Sequence, residues 1–478
     1  MRFIGKDPNI IDAYYTATAE GAITAGKPII VEADGDVAQV GFDDASAGAE
    51  SVFATTSATM GTITYDSSND KIVVFYVGTS QLRAKVGTVS GDSISFGSEV
   101  TVVSRETSQV GVTFDTSNNK VLVVYNRDSS NNQYGSARVG TVSGTDISFG
   151  TEVVFNSNTT REVAPSFDTN AGKSLVAYRN SSNDGKGRVA TISGTDVSFG
   201  TEATFDSGTA YTIAVAYDAN AQKHVIAYDE GYSSGKAVVG TISGTDVSFG
   251  SEATFQGSGR PNFISIAYDS TSTKVVITYR DEGNSNAGTS IVGTVSGTDI
   301  TFGSEVVFTA DINANSGVTS GATNGKITVA FSDADDSNHG KAIIGTVSGT
   351  SISFNTAIDF NSAETEVYYQ GVAYDAAADK AVIVYRDSGN SSYGTAATFN
   401  YGASNLTSEN YIGIAADTYA DNEDSTIGIV GCIDRNQTSL TAGQQYFVQN
   451  DGTLSTTAGS PSVLAGTAIS ATELVVKE

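Results

Sequence analysis

Very few side chains in this sequence could carry covalent or metal chemistry. Histidine occurs twice, at His224 and His339, cysteine once, at Cys432, and tryptophan not at all. A tetrahedral zinc centre needs three or four closely spaced nitrogen and sulfur donors, so a His/Cys zinc site is excluded. One cysteine cannot close an intramolecular disulfide. Gly-x-Ser-x-Gly occurs at residues 231–235, but there it joins two stretches of a β repeat rather than a strand to a helix, so it does not read as the elbow that raises a nucleophilic serine. Calcium takes clustered oxygen donors, and residues 128–135, 281–288, 333–340 and 387–394 are rich in Asp and Asn. None has the Asp-x-Asp-x-Asp-Gly spacing with a distal Glu, so polar hairpin loops are the default there and calcium the weaker alternative. The expectation is no metal and no cofactor. The 53 acids could supply a glycosidase pair, yet none departs from its counterparts in the repeats described below. Solvated structural carboxylates behave this way, and the chain reads as a non-enzyme.

Recognition is the better-supported chemistry. Eight aromatic or basic residues sit at places where the repeats disagree: Tyr134, Tyr211, Tyr232, Arg260, Phe263, Tyr368, Tyr369 and Tyr393. Tyr and Arg stack on sugars and peptides while keeping a polar handle, so these are the candidate ligand-binding residues. For the tyrosines, plain surface is an equal alternative. Arg127, Arg179, Arg280 and Arg386 recur at the end of strand b, described below, which favours a structural lock over a ligand contact.

The elements that would hold these residues follow from a repeat of about fifty residues. GTVSG or a near variant ends at Gly91, Gly144, Gly194, Gly244, Gly297 and Gly349. A unit of this kind cannot bury its apolar face alone and stacks on its neighbours. Each copy divides into four strands. Strand a ends in an aromatic residue and Asp, strand b is KVLVVY-like, strand c ARVGTVSG-like and strand d ISFGTEVVF-like. Ser-Gly-Thr-Asp between c and d places Gly where a type II′ hairpin turn needs it. Six copies carry Asp-x4-Lys across the a–b turn (Asp66/Lys71 through Asp375/Lys380), while the sixth copy has Gly321 and Lys326. This spacing reads as an exposed ion pair worth about 0–1 kcal/mol.

Four-stranded meanders at this period fit a β-propeller. Small residues in strand a (Gly111 and Thr113, Ala164 and Ser166, Ala214 and Ala216) suit the crowding near an axis. The array begins with an isolated strand d (48–53) and ends with strands a, b and c alone. The two part-blades complement each other, so the expected fold is all-β: a seven-bladed propeller closed by the N-terminal strand d pairing with the C-terminal strands. Closure removes open sheet edges. The Trp-containing box of propeller sialidases is absent, since the chain has no Trp. In such a blade the b–c loops and d–a connections share one face, and that face carries the variable residues.

Outside the repeats, ITAGKPIIVEADGDVAQV (23–40) matches LTAGQQYFVQNDGTLSTT (440–457). The expected domains are 1–46 with 404–478, a small duplicated β-domain for anchoring or oligomerisation, and 47–403, the propeller inserted into it. The net charge of −27 disfavours nucleic acid and anionic membranes. The opening MRFIGKDPN has no apolar stretch of a secretory signal, and no apolar run is long enough to span a bilayer.

The ITAG…DGDV and LTAG…DGTL units with the LAGTAIS…LVVK ending resemble small structural β-domains of tailed bacteriophages. The GTVSGTDISFG repeats resemble fibre-like virion surface proteins of marine phages. This resemblance implies a structural virion protein made in the host cytoplasm, a fibre or knob on tail or capsid. It would contact other virion proteins, in one or several copies, and show the propeller to a host-surface glycan or protein. The alternative is a secreted or lysis-released carbohydrate-binding or carbohydrate-active propeller.

Overall fold

A computed structural model describes residues 13–41, 45–105, 107–127, 133–313, 317–321, 325–402, 404–450 and 452–477, without the side chains of Met60 and 363–370. The described residues form strands and three single 3₁₀ turns, with no α-helix. The chain divides into two compact units, residues 1–45 with 401–478, and residues 46–400.

Within the larger unit each repeat is an antiparallel meander. In repeat 2, strand a (Val110–Asp115), strand b (Lys120–Asn126) and strand c (Tyr134–Ser143) pair in sequence, with Phe114 opposite Val121 and Val123 opposite Arg138. Strand d is not continuous. It forms two short strands, Asp146–Phe149 and Val153–Thr159, both paired to strand c and separated at Gly150-Thr151-Glu152. The Gly150 N–H still donates to the Val139 carbonyl at 2.9 Å, so the break is a local detour. It carries the Glu152 carboxylate to the Tyr125 hydroxyl, 3.0 Å away.

Strand b reads as an unbroken apolar run because both sheet faces are covered. Val73, Phe75 and Val77 of repeat 1 pack against Val121, Val123 and Tyr125 of repeat 2. The alternate residues Ile72, Val74 and Tyr76 pack against Val382, Val384 and Ala396 of repeat 7. Burial of each such side chain contributes roughly 1.5–3 kcal/mol. The c–d turns have φ of +63° at Gly144 and +66° at Gly194, while the following Thr stays at negative φ, as a II′ turn requires.

The Asp-x4-Lys spacing is not an ion pair. Asp115 is 1% exposed, and its carboxylate accepts the Ser117 and Asn118 backbone N–H groups at 2.9 Å each. Asp66, Asp168 and Asp375 cap their turns in the same way. The lysines reach elsewhere: Lys173 Nζ donates to the Gly244 carbonyl of the next repeat at 2.5 Å. Short polar turns leave backbone amides unpaired, and a buried Asp satisfies two of them.

The chain ends of this unit pair with each other. Val52 lies opposite Thr395 and Ser51 opposite Ala396, and Tyr385 donates to Glu50 at 2.8 Å, as Tyr125 does to Glu152. A cavity of about 350 Å³ is lined by strand a of all seven repeats, from Thr62 and Gly111 through Ala164, Ala214 and Ser265 to Gly317 and Gly371. A methyl on Gly111 would come within 2.5 Å of Pro165 Cδ, and one on Gly371 within 3.1 Å of Thr62 Cα.

The smaller unit contains two five-stranded sheets of matching order. The first runs Tyr14–Thr18, Asp424–Gly428, Tyr411–Ala415, Pro28–Val31, Val37–Gln39. The second runs Ile433–Asp434, Leu474–Val476, Val463–Ala468, Gln445–Val448, Leu454–Ser455. Residues from both sequence ends build the first sheet, with Ile29 opposite Gly413. Ile30, Val40 and Ile414 pack with Val448, Val463 and Leu474 into one core.

Candidate functional site: an arginine–tyrosine ladder

Strand b of repeat 3 (Lys173–Arg179) ends on an arginine whose guanidinium lies 4.5 Å from the centre of the Tyr211 ring, at the start of strand a of repeat 4 (Ala210–Asp218). Tyr232 occupies the b–c turn of repeat 4, and its ring stacks on Tyr211 with centroids 4.1 Å apart and planes 24° from parallel. Arg260, just before strand a of repeat 5 (Pro261–Asp269), lies 4.2 Å from the Tyr232 ring centre. The order is Arg179, Tyr211, Tyr232, Arg260. A further contact sits beside it, with Arg280 4.8 Å from the Phe263 ring. Cation–π contacts contribute about 0.5–2 kcal/mol each, depending on how dry they are.

Each arginine also meets a carboxylate. Arg179 lies 3.6 Å from Glu162, Arg260 3.1 Å from Asp229, and Arg280 2.6 Å from Glu282. Glu282 links two of them, since Arg260 Nη1 is 3.7 Å away. Burial pushes the Glu162 carboxyl up, with Arg179 opposing, and pushes Asp229 up, with Arg260 opposing. Burial acts upward on Glu282 too, but hydrogen bonds from Arg280 and Asn262 outweigh it and its carboxyl is held down. The Tyr232 phenol is raised, chiefly by the neighbouring Tyr211.

Of the residues singled out from the sequence, Tyr211, Tyr232 and Arg260 therefore come together, and Phe263 joins them through Arg280 and Glu282. Tyr134 is half-buried at the start of strand c of repeat 2, opposite Thr159, where its carbonyl accepts the Arg127 N–H. Tyr393 is half-buried opposite Asp387 and Ser57. The side chains of Tyr368 and Tyr369 lie outside the described residues.

The sequence reading missed the strongest repeated side-chain contact. Tyr76, Tyr125, Tyr178, Tyr228, Tyr279 and Tyr385 each donate to a Glu of Gly-x-Glu: Glu99, Glu152, Glu202, Glu252, Glu305 and Glu50. The signal was present, because repeat 6 has Phe331 and Ala357 in these places and loses donor and acceptor together.

The Asp- and Asn-rich b–c loops resolve into turn caps. Asp281, Asp333 and Asp387 cap 3₁₀ turns at Glu282–Asn284, Ala334–Asp336 and Ser388–Asn390. Residues 128–132 lie outside the described ones. His339 is not in a loop but opens strand c of repeat 6 (His339–Ser348), 3.6 Å from both Asp336 and Asp359. These three could face a metal ion. Lys341 Nζ already lies 2.7 Å from Asp336 and 3.3 Å from Asp333, so an ammonium serves as the cation there.

In the smaller unit, Tyr15, Val31, Tyr411, Ile412, Ile429, Val430 and Lys477 line a mainly apolar cavity of about 310 Å³. Tyr15 and Val430 are exposed there. No helix among the described residues is long and apolar enough to cross a membrane.

The chain matches no protein-family model and no curated protein. Among solved structures it is similar to a triple arginine-to-alanine mutant of AofleA from Arthrobotrys oligospora, at 12% identity and a TM-score of 0.43, over 69% of this chain and 94% of that one.

Proposed function

We propose that the chain is a structural virion protein of a tailed phage, displaying a recognition face to the host surface. In this reading residues 46–400 form a seven-bladed propeller closed by its own two ends. The Val52–Thr395 pairing, the Tyr385–Glu50 bond and the cavity shared by seven inner strands support closure. The smaller unit attaches the ring to the particle or to further copies, and its apolar cavity with exposed Tyr15 and Val430 supports that assignment.

One observation carries the recognition role. Where the repeats agree, they build turns and strand contacts; where they disagree, Tyr211, Tyr232 and Arg260 assemble into one ladder. Structural repeats need no such departure, and a binding surface does. No reaction is assigned, since each carboxylate of the ladder is held by a guanidinium.

Antibody labelling of purified particles tests the proposal. Label on the tail or capsid surface, with adsorption blocked by the free protein, is the expected result. Absence of the chain from particles would remove the virion role, and turnover of a polysaccharide by the purified protein would favour a released carbohydrate-active protein instead.

A further inference from the structure

The ladder's surroundings bear on which ligand it takes, and this step rests on the recognition reading above. Glu162, Thr212 and Phe263 begin the inner strands of three successive repeats, with φ of +54°, +46° and +54°. For Thr and Phe such values are genuine outliers. At each, the a–b pairing slips, between Arg161 and Ala164, Tyr211 and Ala214, and Asn262 and Ser265. Each of these strained residues is followed at once by one lining the central cavity: Val163, Ile213 and Ile264. An arginine–aromatic contact accompanies all three. Strain of this kind clusters where a surface is shaped for function.

Three properties of the patch narrow its ligand. Tyr211 is flanked by Arg179 and Tyr232, and Tyr232 by Tyr211 and Arg260, so the ring faces are occupied and edges and hydroxyls are what they offer. Tyr232 is 51% exposed in this state. Charges match: three guanidinium groups meet Glu162, Asp229 and Glu282, leaving a locally neutral surface on a chain of net charge −27. That global charge repels acidic ligands at a distance. Finally, Tyr232 is the large exposed apolar residue here among those described, the others of this unit (Val52, Val154, Val307) lying on outer strands. A protein partner needs a desolvated apolar centre within roughly 800 Å² on each side.

We infer that the ladder over repeats 3 to 5 binds a neutral, hydroxyl-rich glycan. Its hydroxyls meet tyrosine edges, the part-exposed Arg260 and Arg280 guanidinium donors and the Glu162 and Glu282 carboxylates, while Arg179 and Asp229 are buried beneath them, and no sugar ring is stacked on an open aromatic face.

The test uses the full chain on immobilised neutral, uronic-acid and sulfated glycans, and on host cells treated with periodate or with protease. Tyr232→Ala and Arg260→Lys are compared with Val154→Ala as a surface control, all checked for an unchanged unfolding midpoint. Arg260→Lys keeps the charge but loses the planar fork. The expected result is binding to neutral glycans, weakened about tenfold or more in both ladder variants and unchanged in the control. Binding should vary little between about 50 and about 500 mM salt, and be lost with periodate but not protease. Adsorption that needs host protein, selects acidic glycans with strong salt dependence, or survives Tyr232→Ala would overturn the glycan assignment while leaving host recognition standing. No binding to host surface by the full chain would remove both.

Discussion

Tyr279 is fully buried and donates its hydroxyl to Glu305 at 2.7 Å, and the same pairing recurs around the larger unit. Glu305→Ala leaves a mostly buried donor without its partner and should cost about 1–3 kcal/mol, whereas Tyr279→Phe removes the donor and should cost about 0.5–1.5 kcal/mol. The double variant copies the natural state of repeat 6 and should cost little more than Tyr279→Phe alone. A urea-unfolding double-mutant cycle measures this, and additive losses would refute the coupling. A second residue-level test concerns His224, which is fully buried with Asp168 3.8 Å away. Burial lowers its imidazole to about 4, with Asp168 opposing. The unfolded chain takes up that proton near its ordinary value of about 6.5. His224 therefore contributes stability that is complete above about pH 6.5 and lost as pH falls toward 4. Its counterparts opposite the strand a aromatic, Val121 and Val275, do not titrate. His224→Val should flatten the stability profile across that window, and an unchanged slope would assign the acid sensitivity to other groups.

At the scale of the strand, the Gly of Gly-x-Glu is explained by the neighbouring hairpin. A methyl at Gly200 would sit 1.7 Å from the Thr245 carbonyl oxygen, and one at Gly250 1.9 Å from that of Thr298. The c–d turn of the next repeat presses its backbone onto this spot. Repeat 6 has Asn355 there, and the sheet after it has no Ser-Gly-Thr-Asp turn: its strand c ends at Asn400 and its outer strand comes from Ser46–Ala47. A glycine is needed only where a turn bears on it. Gly250→Ala should cost about 1–3 kcal/mol or more, while Asn355→Ala should stay within about 0.5 kcal/mol. Thermal unfolding of the two variants side by side gives the comparison, and equal losses would disprove the account.

Over the whole larger unit, the proposed closure predicts uniform protection. In an open array the last sheet frays, because one face has no neighbour. In a ring, amides of Ser51–Asp66 and Tyr393–Asn400 should exchange as slowly as those of Gly185–Ser193 in repeat 3. Native-state hydrogen exchange reads this directly. Exchange at 393–400 faster than in repeat 3 by orders of magnitude would mean an open end.

The strand character and the hairpin turns were legible in the sequence because they depend on local rules: alternation, apolar runs and glycine at positive φ. The four-strand repeat and the match between residues 23–40 and 440–457 could be read for the same reason. The Asp-x4-Lys spacing misled, since spacing alone does not say whether a carboxylate turns toward a lysine or toward its own turn's amides. The break in strand d was hidden too: it recurs at 355–357 in repeat 6, where Phe331 and Ala357 replace the Tyr–Glu pair, so that contact uses the break without causing it. For the site, Tyr211, Tyr232 and Arg260 could be picked as departures from the repeat, but nothing in their order shows that they stack. Arg179 was set aside as a recurring lock, and Glu162 was not noticed at all. These residues come from three repeats: Glu162 and Arg179 share one and Tyr211 and Tyr232 the next, and only the packing of successive sheets lays Arg179 on Tyr211 and Arg260 on Tyr232. The sequence determined which residues differ, and the tertiary structure decided which of those differences meet.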